Sequence, residues 1–325
     1  MNQMTRLLEV LLDDLEAGFP AALCVVLGRR GSAPQVPGAA MLVRADGTMF
    51  GTIGGGAAEA EVTRRARDLF NNSDGLLLDL DLNQEFGTDD AAICGGRMTV
   101  GIVPVRRGVD VFAYRSAYEN ARDRRPARIP IRVSHAGRRL EYTLNIEVPP
   151  TLLIAGAGHV GQALARLAVD LDFRVVVIDD RRDMAARERF PEGVELIVGD
   201  IAGTLREQPI DAGSYVVIVT RGHEHDHAAL DAVVRRPAGY VGVIGSRKKS
   251  AAILAALERA GVSRELIERV HTPIGVPIAA LTVNEIAISI AAELIEVRRR
   301  GKAKVIEGPV ELPTGEGEAP AEPRP

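Results

Sequence analysis

The chain has 325 residues, of which 46% are hydrophobic, so it is long enough to bury two separate cores. Its 40 Lys and Arg residues nearly balance its 44 Asp and Glu residues, and aromatic residues make up only 4%. This balance argues against a nucleic-acid binder, and no apolar run reaches the roughly 20 residues that span a bilayer. With two cysteines, Cys24 and Cys94, a disulfide framework is excluded, and we expect a reduced, cytoplasmic protein without membrane contact.

The first half of the chain predicts an α+β domain over residues 1–148. Leucines at helical spacing predict an N-terminal helix that stops at Gly18. The apolar run "ALCVVLG" then predicts a buried strand in which Cys24 is an inert core thiol. A hairpin is expected with its turn at Asp46–Gly47, and three glycines, Gly54–Gly56, lead directly into a helix.

Two stretches of this first domain combine glycines with a charged or reactive residue. The N–H groups of Gly54–Gly56 at a helix start form a nest for an anion, and Glu59 either caps its own helix or serves a ligand. In "CGGRM", Cys94 either ends a strand at a tight bend or faces a ligand, because glycines let a molecule approach the backbone. A nearby cation such as Arg97 favours the thiolate, which is a soft metal ligand or a nucleophile. The candidate residues are Gly54, Gly55, Gly56, Glu59, Cys94, Gly95, Gly96 and Arg97.

A different pattern begins after Pro149-Pro150, where strands alternate with helical spacers. The strands "TLLIAG", "RVVVIDD", "VELIVGD", "YVVIVT" and "YVGVIG" are continuously apolar, as a parallel sheet covered on both faces requires. Residues 149–300 therefore predict a doubly wound, Rossmann-like domain. It ends in a helix with Thr282 and Glu285 at capping-box spacing. The Pro- and Glu-rich residues 301–325 are expected to form a disordered tail.

The stretch "GAGHVG" follows the first of these strands and opens a helix with GxGxxG spacing. Such glycines let a pyrophosphate sit on the helix N-terminus, and an acid at the end of the next strand accepts from a ribose hydroxyl. The alternative is a scaffold whose glycines only permit close packing of helix on sheet. The candidate nucleotide-binding residues are Gly156, Gly158, His159, Gly161 and Asp179.

A histidine-rich stretch, "TRGHEHDHAAL", follows the fourth strand and reads as a loop at the carboxyl edge of the sheet. Imidazoles beside carboxylates suit zinc or iron. Because side chains two apart in an extended segment point in opposite directions, only some of His223, His225 and His227 would share one ion. The alternative is that they hold a phosphate or cap the next helix. Ser246 and Arg247, after the fifth strand, are expected to converge on the same crevice.

Eight segments occur in an order that resembles the XdhC/CoxI family of xanthine dehydrogenase accessory proteins. They are "GSAPQVPGAAMLV", "GTIGGGAAEAE", "CGGRMTV", "AGAGHVGQALARLA", "VIDDR", "TRGHEHD", "VGVIGSRKK" and "RVHTPIG". The resemblance extends from about Leu7 to Arg300, and eight ordered segments are far more specific than the glycine motif alone.

This resemblance implies a chaperone that binds the molybdenum cofactor, supports the exchange of its terminal oxo ligand for sulfur, and inserts it into a molybdenum hydroxylase. The implied partners are a cysteine desulfurase and a client such as xanthine dehydrogenase or carbon monoxide dehydrogenase. The family's cofactor-binding cysteine matches Cys94, which is then the expected contact to molybdenum. Its "GTIGGG" segment and following acid match Gly51–Gly56 and Glu59, and its "GHEHD" matches Gly222–Asp226.

The form of the cofactor and two other functions stay open at this point. The cargo is either molybdopterin or its cytosine dinucleotide, whose second phosphate and ribose would reach Gly156 and Asp179. One alternative is an NAD(P)-dependent oxidoreductase with His223 or His225 as proton donor. The other is a thiol or nucleotide sensor that regulates a partner through Cys94. A homodimer is compatible with the low net charge.

Overall fold

A computed structural model of the chain describes residues 3–71, 74–82, 96–106, 111–300 and 304–312. The chain divides into two compact units. Unit 1 comprises Met1–Val148 together with Ala303–Pro325, and unit 2 comprises Pro149–Lys302.

Unit 1 is built on a mixed sheet, in which eight strands can be assigned within the described residues. The strands are β1 (Ala21–Arg30), β2 (Ala40–Arg44), β3 (Met49–Gly51), β4 (Leu76–Asp81), β5 (Arg97–Val105), β6 (Ala127–His135), β7 (Arg138–Ile146) and β14 (Ile306–Leu312). In spatial order they run β14-β7-β6-β4-β5-β1-β2-β3, and neighbours are antiparallel except for the parallel pair β4 and β6.

Helices contribute to both cores of unit 1. They are α1 (Gln3–Glu16), α2 (Gly56–Asp68) and α3 (Val111–Arg122). The leucine stripe of α1 packs with α3 in one core, and the smaller apolar residues of α2 pack in the other. Cys24 lies in the α2 core with 0% of its surface exposed, and burial raises the pKa of its thiol. The expectation of an inert core cysteine is confirmed.

The C-terminal stretch differs from the expected disordered tail. Residues 306–312 form the edge strand β14, paired antiparallel with β7. A proline is tolerated there because an edge strand leaves one row of N–H groups unpaired, and the register shifts between Glu307 and Val310 around Pro309. Residues 301–303 and 313–325 lie outside the described part of the chain.

Unit 2 has the predicted parallel sheet. Its strands are β8 (Thr151–Ala155), β9 (Arg174–Asp179), β10 (Glu195–Val198), β11 (Ser214–Ile218), β12 (Tyr240–Val243) and β13 (Val270–His271). They are arranged in the order β10-β9-β8-β11-β12-β13. The first strand of the unit lies at the centre, so the order reverses between β8 and β11, and the crevice at their carboxyl ends is the usual place for a ligand.

The helices of unit 2 contribute to two cores. They are α4 (His159–Asp170), α5 (Ile201–Glu207), α6 (His223–Val233), α7 (Arg247–Arg259), α8 (Arg264–Glu268) and α9 (Val283–Arg299). The predicted capping box is present, since Thr282 and Glu285 each accept from the other's backbone N–H at the start of α9. Across the described ranges, no helix is both long enough and apolar enough to cross a membrane.

Candidate functional site

The glycine turn of unit 1, residues 52–56, is closed by the side chain of Glu59. One carboxylate oxygen accepts from the Thr52 hydroxyl at 2.6 Å and from the backbone N–H groups of Ile53 and Gly55, both at 2.9 Å. All three glycines of the turn have positive φ, which L side chains rarely adopt. The turn is therefore a backbone conformation that strongly favours glycine, folded around a carboxylate supplied by the helix it precedes.

The pKa of the Glu59 carboxyl is shifted in the direction that these hydrogen bonds require. Burial alone would raise the pKa of the Glu59 carboxyl, but donation by Thr52 and by the N–H groups of Gly55 and Ile53 lowers it below its ordinary value. The N–H of Gly54 in turn donates to the Thr52 hydroxyl at 3.0 Å. Of the two interpretations of Glu59, the structure thus supports an internal role, and two of the three N–H groups of the expected anion nest, those of Gly54 and Gly55, are already bonded within the turn.

The proline-rich loop of residues 31–38 brings three of the motif segments together. A Cβ on Gly54 would lie 2.6 Å from Cγ of Pro34, so the glycine turn packs closely on this loop. On its other side, a Cβ on Gly96 would lie 2.7 Å from the carbonyl oxygen of Arg30 and would also clash with that of Ser32. The glycine turn and the start of β5 therefore both pack against this loop.

Cys94 and Gly95 lie outside the described residues, whereas Gly96 and Arg97 are described. Gly96 is buried and accepts a backbone hydrogen bond from Leu82. Arg97 is exposed, and it pairs with Asp81 at 3.3 Å on the neighbouring strand β4.

The second glycine turn, residues 156–161, has the geometry that the GxGxxG spacing predicts. A Cβ on Gly156 would lie 2.5 Å from the carbonyl oxygen of Val219, and one on Gly161 would clash with the carbonyl of Gly156. By contrast, a Cβ on Gly158 would have no neighbour within 4 Å, and α4 begins there without a side-chain cap. The uncapped N–H groups of α4 are thus open to a ligand, with His159 exposed beside them.

The buried side chain of Asp179 contacts the backbone of this turn. It is 1% exposed, accepts from the N–H of Ala157 at 2.7 Å, and is bonded by the guanidinium of Arg181 at 2.9 Å. Burial alone would raise the pKa of Asp179, but these donors lower it below its ordinary value. Its oxygens are therefore used inside the protein rather than offered to a ribose. The next residue, Asp180, carries the exposed carboxylate at this strand end and pairs with Arg221 at 2.8 Å.

The histidine stretch is helical, which corrects the expectation of an extended loop. Helix α6 begins at His223, directly after Gly222, so His223 and His227 lie one turn apart on the same face while His225 points elsewhere. In the described part of the chain, no group of three or more His, Cys, Asp or Glu side chains is arranged to hold a metal ion.

An ion pair that the sequence did not predict joins the first turns of helices α6 and α7. Asp226 is fully buried, and it accepts from the Thr220 hydroxyl at 2.6 Å and from Nζ of Lys249 at 2.5 Å. Ser246 caps α7 by accepting from the N–H of Lys249, and Arg247 is exposed. The segments "GHEHD" and "GSRKK" were both expected at this edge of the sheet. Their opposite charges were the signal from which the ion pair could have been predicted.

We predict that Glu59→Gln destabilises the protein by about 1–3 kcal/mol at neutral pH, because a charged acceptor of three hydrogen bonds is lost. A lowered folded pKa means that this stabilisation is full above the unfolded pKa and disappears as the pH falls through the folded pKa. The difference in urea unfolding free energy should therefore shrink below about pH 4. The control is Glu61→Gln on the same helix, whose exposed pairs with Arg64 and Arg65 should contribute less than about 1 kcal/mol. Equal effects of the two variants would contradict the assignment.

We also predict that Lys249→Met destabilises the protein by about 3 kcal/mol, because it leaves the Asp226 carboxylate buried without a cation. The double variant Asp226→Asn/Lys249→Met should recover much of that loss, since it removes the buried charge as well. Thermal and urea unfolding of Lys249→Met, of the single variant Asp226→Asn and of the double variant measure the coupling. Additive losses in the double variant would show that the two side chains do not interact.

Three relatives match along most of the chain. The chain is 31% identical over 284 residues to YqeB of Escherichia coli, and it spans 87% of its own length but only 44% of that protein's. It is 26% identical to a Bacillus subtilis protein named as a probable subunit of xanthine dehydrogenase, covering 92% of this chain and 99% of that one. It is 22% identical to the molybdenum cofactor insertion chaperone PaoD of E. coli, covering 90% and 88%.

The fold is also found in a crystal structure. A Bacillus halodurans protein named as a xanthine dehydrogenase superposes with a TM-score of 0.78 at 24% identity, covering 93% of this chain and 97% of that one. Two family models match the sequence, that of the XdhC and CoxI family over residues 14–81 and that of the XdhC Rossmann domain over residues 152–294. Together they cover more than half of the chain, which belongs to the XdhC/CoxI family.

Proposed function

We propose that this protein binds the molybdenum cofactor and delivers it to a molybdenum hydroxylase such as xanthine dehydrogenase. The observation that carries the proposal is the similarity, along nearly its whole length, to the molybdenum cofactor insertion chaperone PaoD. The relative named as part of xanthine dehydrogenase supports a hydroxylase of that kind as the client. A client of the carbon monoxide dehydrogenase type has the same need for a cofactor delivered intact.

In this proposal the cofactor is held in unit 1, near the start of β5. Cys94 stands two residues before Gly96, whose backbone packs against the loop of residues 31–38. Molybdenum accepts thiolate ligands, and a single soft ligand can hold a metal without fixing it irreversibly. The fit is chemical, since a thiol followed by two glycines, with an arginine three residues further on, is suited to bind a metal–pterin and release it.

The proposal includes support for sulfuration. A cysteine desulfurase would supply the sulfur that replaces a terminal oxo ligand, while this protein keeps the cofactor away from water and oxidants. The protein's own part is then to bind, shelter and release, which requires no catalytic residue of its own. The reduced cytoplasm is the setting in which an unpaired Cys94 would persist.

For unit 2 we propose that the second glycine turn binds the phosphate of a nucleotide. The support is the open space at Gly158, the uncapped start of α4 and the position of both at the reversal point of the sheet. A ribose at this edge would meet the exposed Asp180 rather than Asp179. Both the cytosine dinucleotide form of the cofactor and a nicotinamide dinucleotide carry the pyrophosphate that such a turn accepts.

The test is anaerobic mixing of the protein with molybdenum cofactor, followed by addition of an apo-hydroxylase. We expect Cys94→Ser to retain less molybdenum and to activate the apo-enzyme less than the wild type does, because a hydroxyl is a poor ligand for the metal. The matched control is Cys24→Ala, which removes the buried thiol of β1 and should behave as the wild type does. Unchanged retention and activation by Cys94→Ser would remove this residue from the mechanism.

A further inference from the structure

Molybdopterin carries a phosphate group, and the glycine turn of unit 1 is poorly placed to bind it. Its N–H groups at Ile53, Gly54 and Gly55 donate to Glu59 and Thr52, and the carboxylate of Glu59 would repel an approaching anion. A phosphate bound in unit 1 therefore needs cations elsewhere on the surface that the start of β5 forms.

Such cations line a cleft of ≈ 500 Å³ at the ends of strands β1, β4 and β5. This volume falls in the range of small-molecule sites, which is about 300–1,000 Å³. We call it the arginine cleft, and its polar and charged lining consists of Arg29, Arg30, Asp79, Asp81, Arg97 and Thr99.

The strand register makes two arginines direct cross-strand neighbours in this cleft. Arg30 on β1 is the direct partner of Arg97 on β5, and Arg97 is in turn the partner of Asp81 on β4. Directly opposed side chains of neighbouring strands lie close together on one face of a sheet, and like charges in that position repel. The next row on the same face consists of Gly28, Thr99 and Asp79, so a glycine leaves room beside the arginines.

Neighbouring carboxylates only partly offset this repulsion. Asp81 approaches Arg97 at 3.3 Å, and Arg30 forms no ion pair with any residue that the structure describes. Asp79 is bonded by the Thr99 hydroxyl at 2.6 Å. On the face that carries Arg30 and Arg97, the two arginines are matched in number by Asp79 and Asp81, since Arg29 is the partner of Met98 on the opposite face. Arg30 is then the cation left without an ion pair among the described residues, and a single such charge suits a small anion better than a polyanion.

We propose that Arg30 and Arg97 bind a phosphate monoester, which in the cargo is the phosphate of molybdopterin. A phosphate between the two guanidinium groups replaces their repulsion with charge-assisted, bidentate hydrogen bonds. Arg97 follows Cys94 by three residues, so the phosphate end and the metal end of one cofactor would be held by the same stretch of chain. The assignment rests on the proposed function for the identity of the ligand.

The experiment uses two fluorescent pterins made from molybdopterin by oxidation, one with its phosphate and one after treatment with a phosphatase. Neither retains molybdenum, so their binding to the full-length protein does not depend on metal ligation by Cys94. We expect the wild type to prefer the phosphorylated pterin by about tenfold or more, the scale of a hydrogen bond between charged groups. Inorganic phosphate should compete with it.

Arg30→Gln and Arg97→Gln should each weaken binding of the phosphorylated pterin by about tenfold and leave binding of the dephosphorylated pterin unchanged. The control, Arg64→Gln, removes the same charge from the exposed surface of α2 and should bind as the wild type does. Equal wild-type affinity for the two pterins would overturn the assignment, as would arginine variants that bind like the wild type. Thermal unfolding of each variant shows whether it remains folded.

The outcome also separates this inference from the proposed function. If the arginine variants bind normally while Cys94→Ser still loses molybdenum, the inference fails and the chaperone role stands. If the arginine variants lose phosphate-dependent binding but Cys94→Ser delivers cofactor normally, phosphate binding in the arginine cleft is supported and the proposed role of Cys94 is wrong.

Discussion

The carboxylate of Glu59, folded back into its own glycine turn, is the contact on which the organisation of unit 1 depends. It holds the Thr52 hydroxyl and two backbone N–H groups, and so fixes a turn in which three successive glycines have positive φ. The loop of residues 31–38 packs on that turn through Pro34 and on the start of β5 through Ser32. The position of the segment that follows Cys94 is therefore tied to a hydrogen-bonded carboxylate far away in sequence.

Unit 2 uses acidic side chains in the same way. Asp179 binds the N–H of Ala157 in the second glycine turn, and Asp226, at the start of α6, binds Thr220 and Lys249 of α7. Each of these carboxylates belongs to a motif that looks like a ligand contact, yet each satisfies buried donors of the protein itself. The groups that these internal contacts leave unused differ between the units. In unit 2 they are the uncapped N–H groups after Gly158, and in unit 1 they are the opposed arginines of the arginine cleft.

Much of this fold could be predicted from the sequence because continuous apolar runs and glycine spacing have few structural solutions. The parallel sheet, the turn at Gly156–Gly161 and the capping box of α9 all follow from such patterns. The start of α6 was missed because alternating charge in "HEHDH" obscures a helix. Gly222 at the cap and two acids in the first turn were the signals for it.

Other features depend on contacts that a linear pattern does not contain. The edge strand β14 carries proline and glutamate, and its backbone pairs with β7, a partner far away in sequence. Whether Asp179 faces a ligand or its own backbone is decided by the direction of one side chain. The pairing of Arg30 with Arg97 follows from the register of two strands that lie far apart in sequence, and no local spacing predicts it.

The central claim is that the cofactor binds in unit 1 where the loop of residues 31–38 meets the start of β5. Amide hydrogen exchange, with and without bound molybdenum cofactor, tests it most directly. We expect slower exchange in residues 31–38 and 96–99 on binding. The amides of Ile53 and Gly55 should not change, since they already donate to Glu59. Slower exchange confined to residues 156–161, with the loop unchanged, would contradict the account.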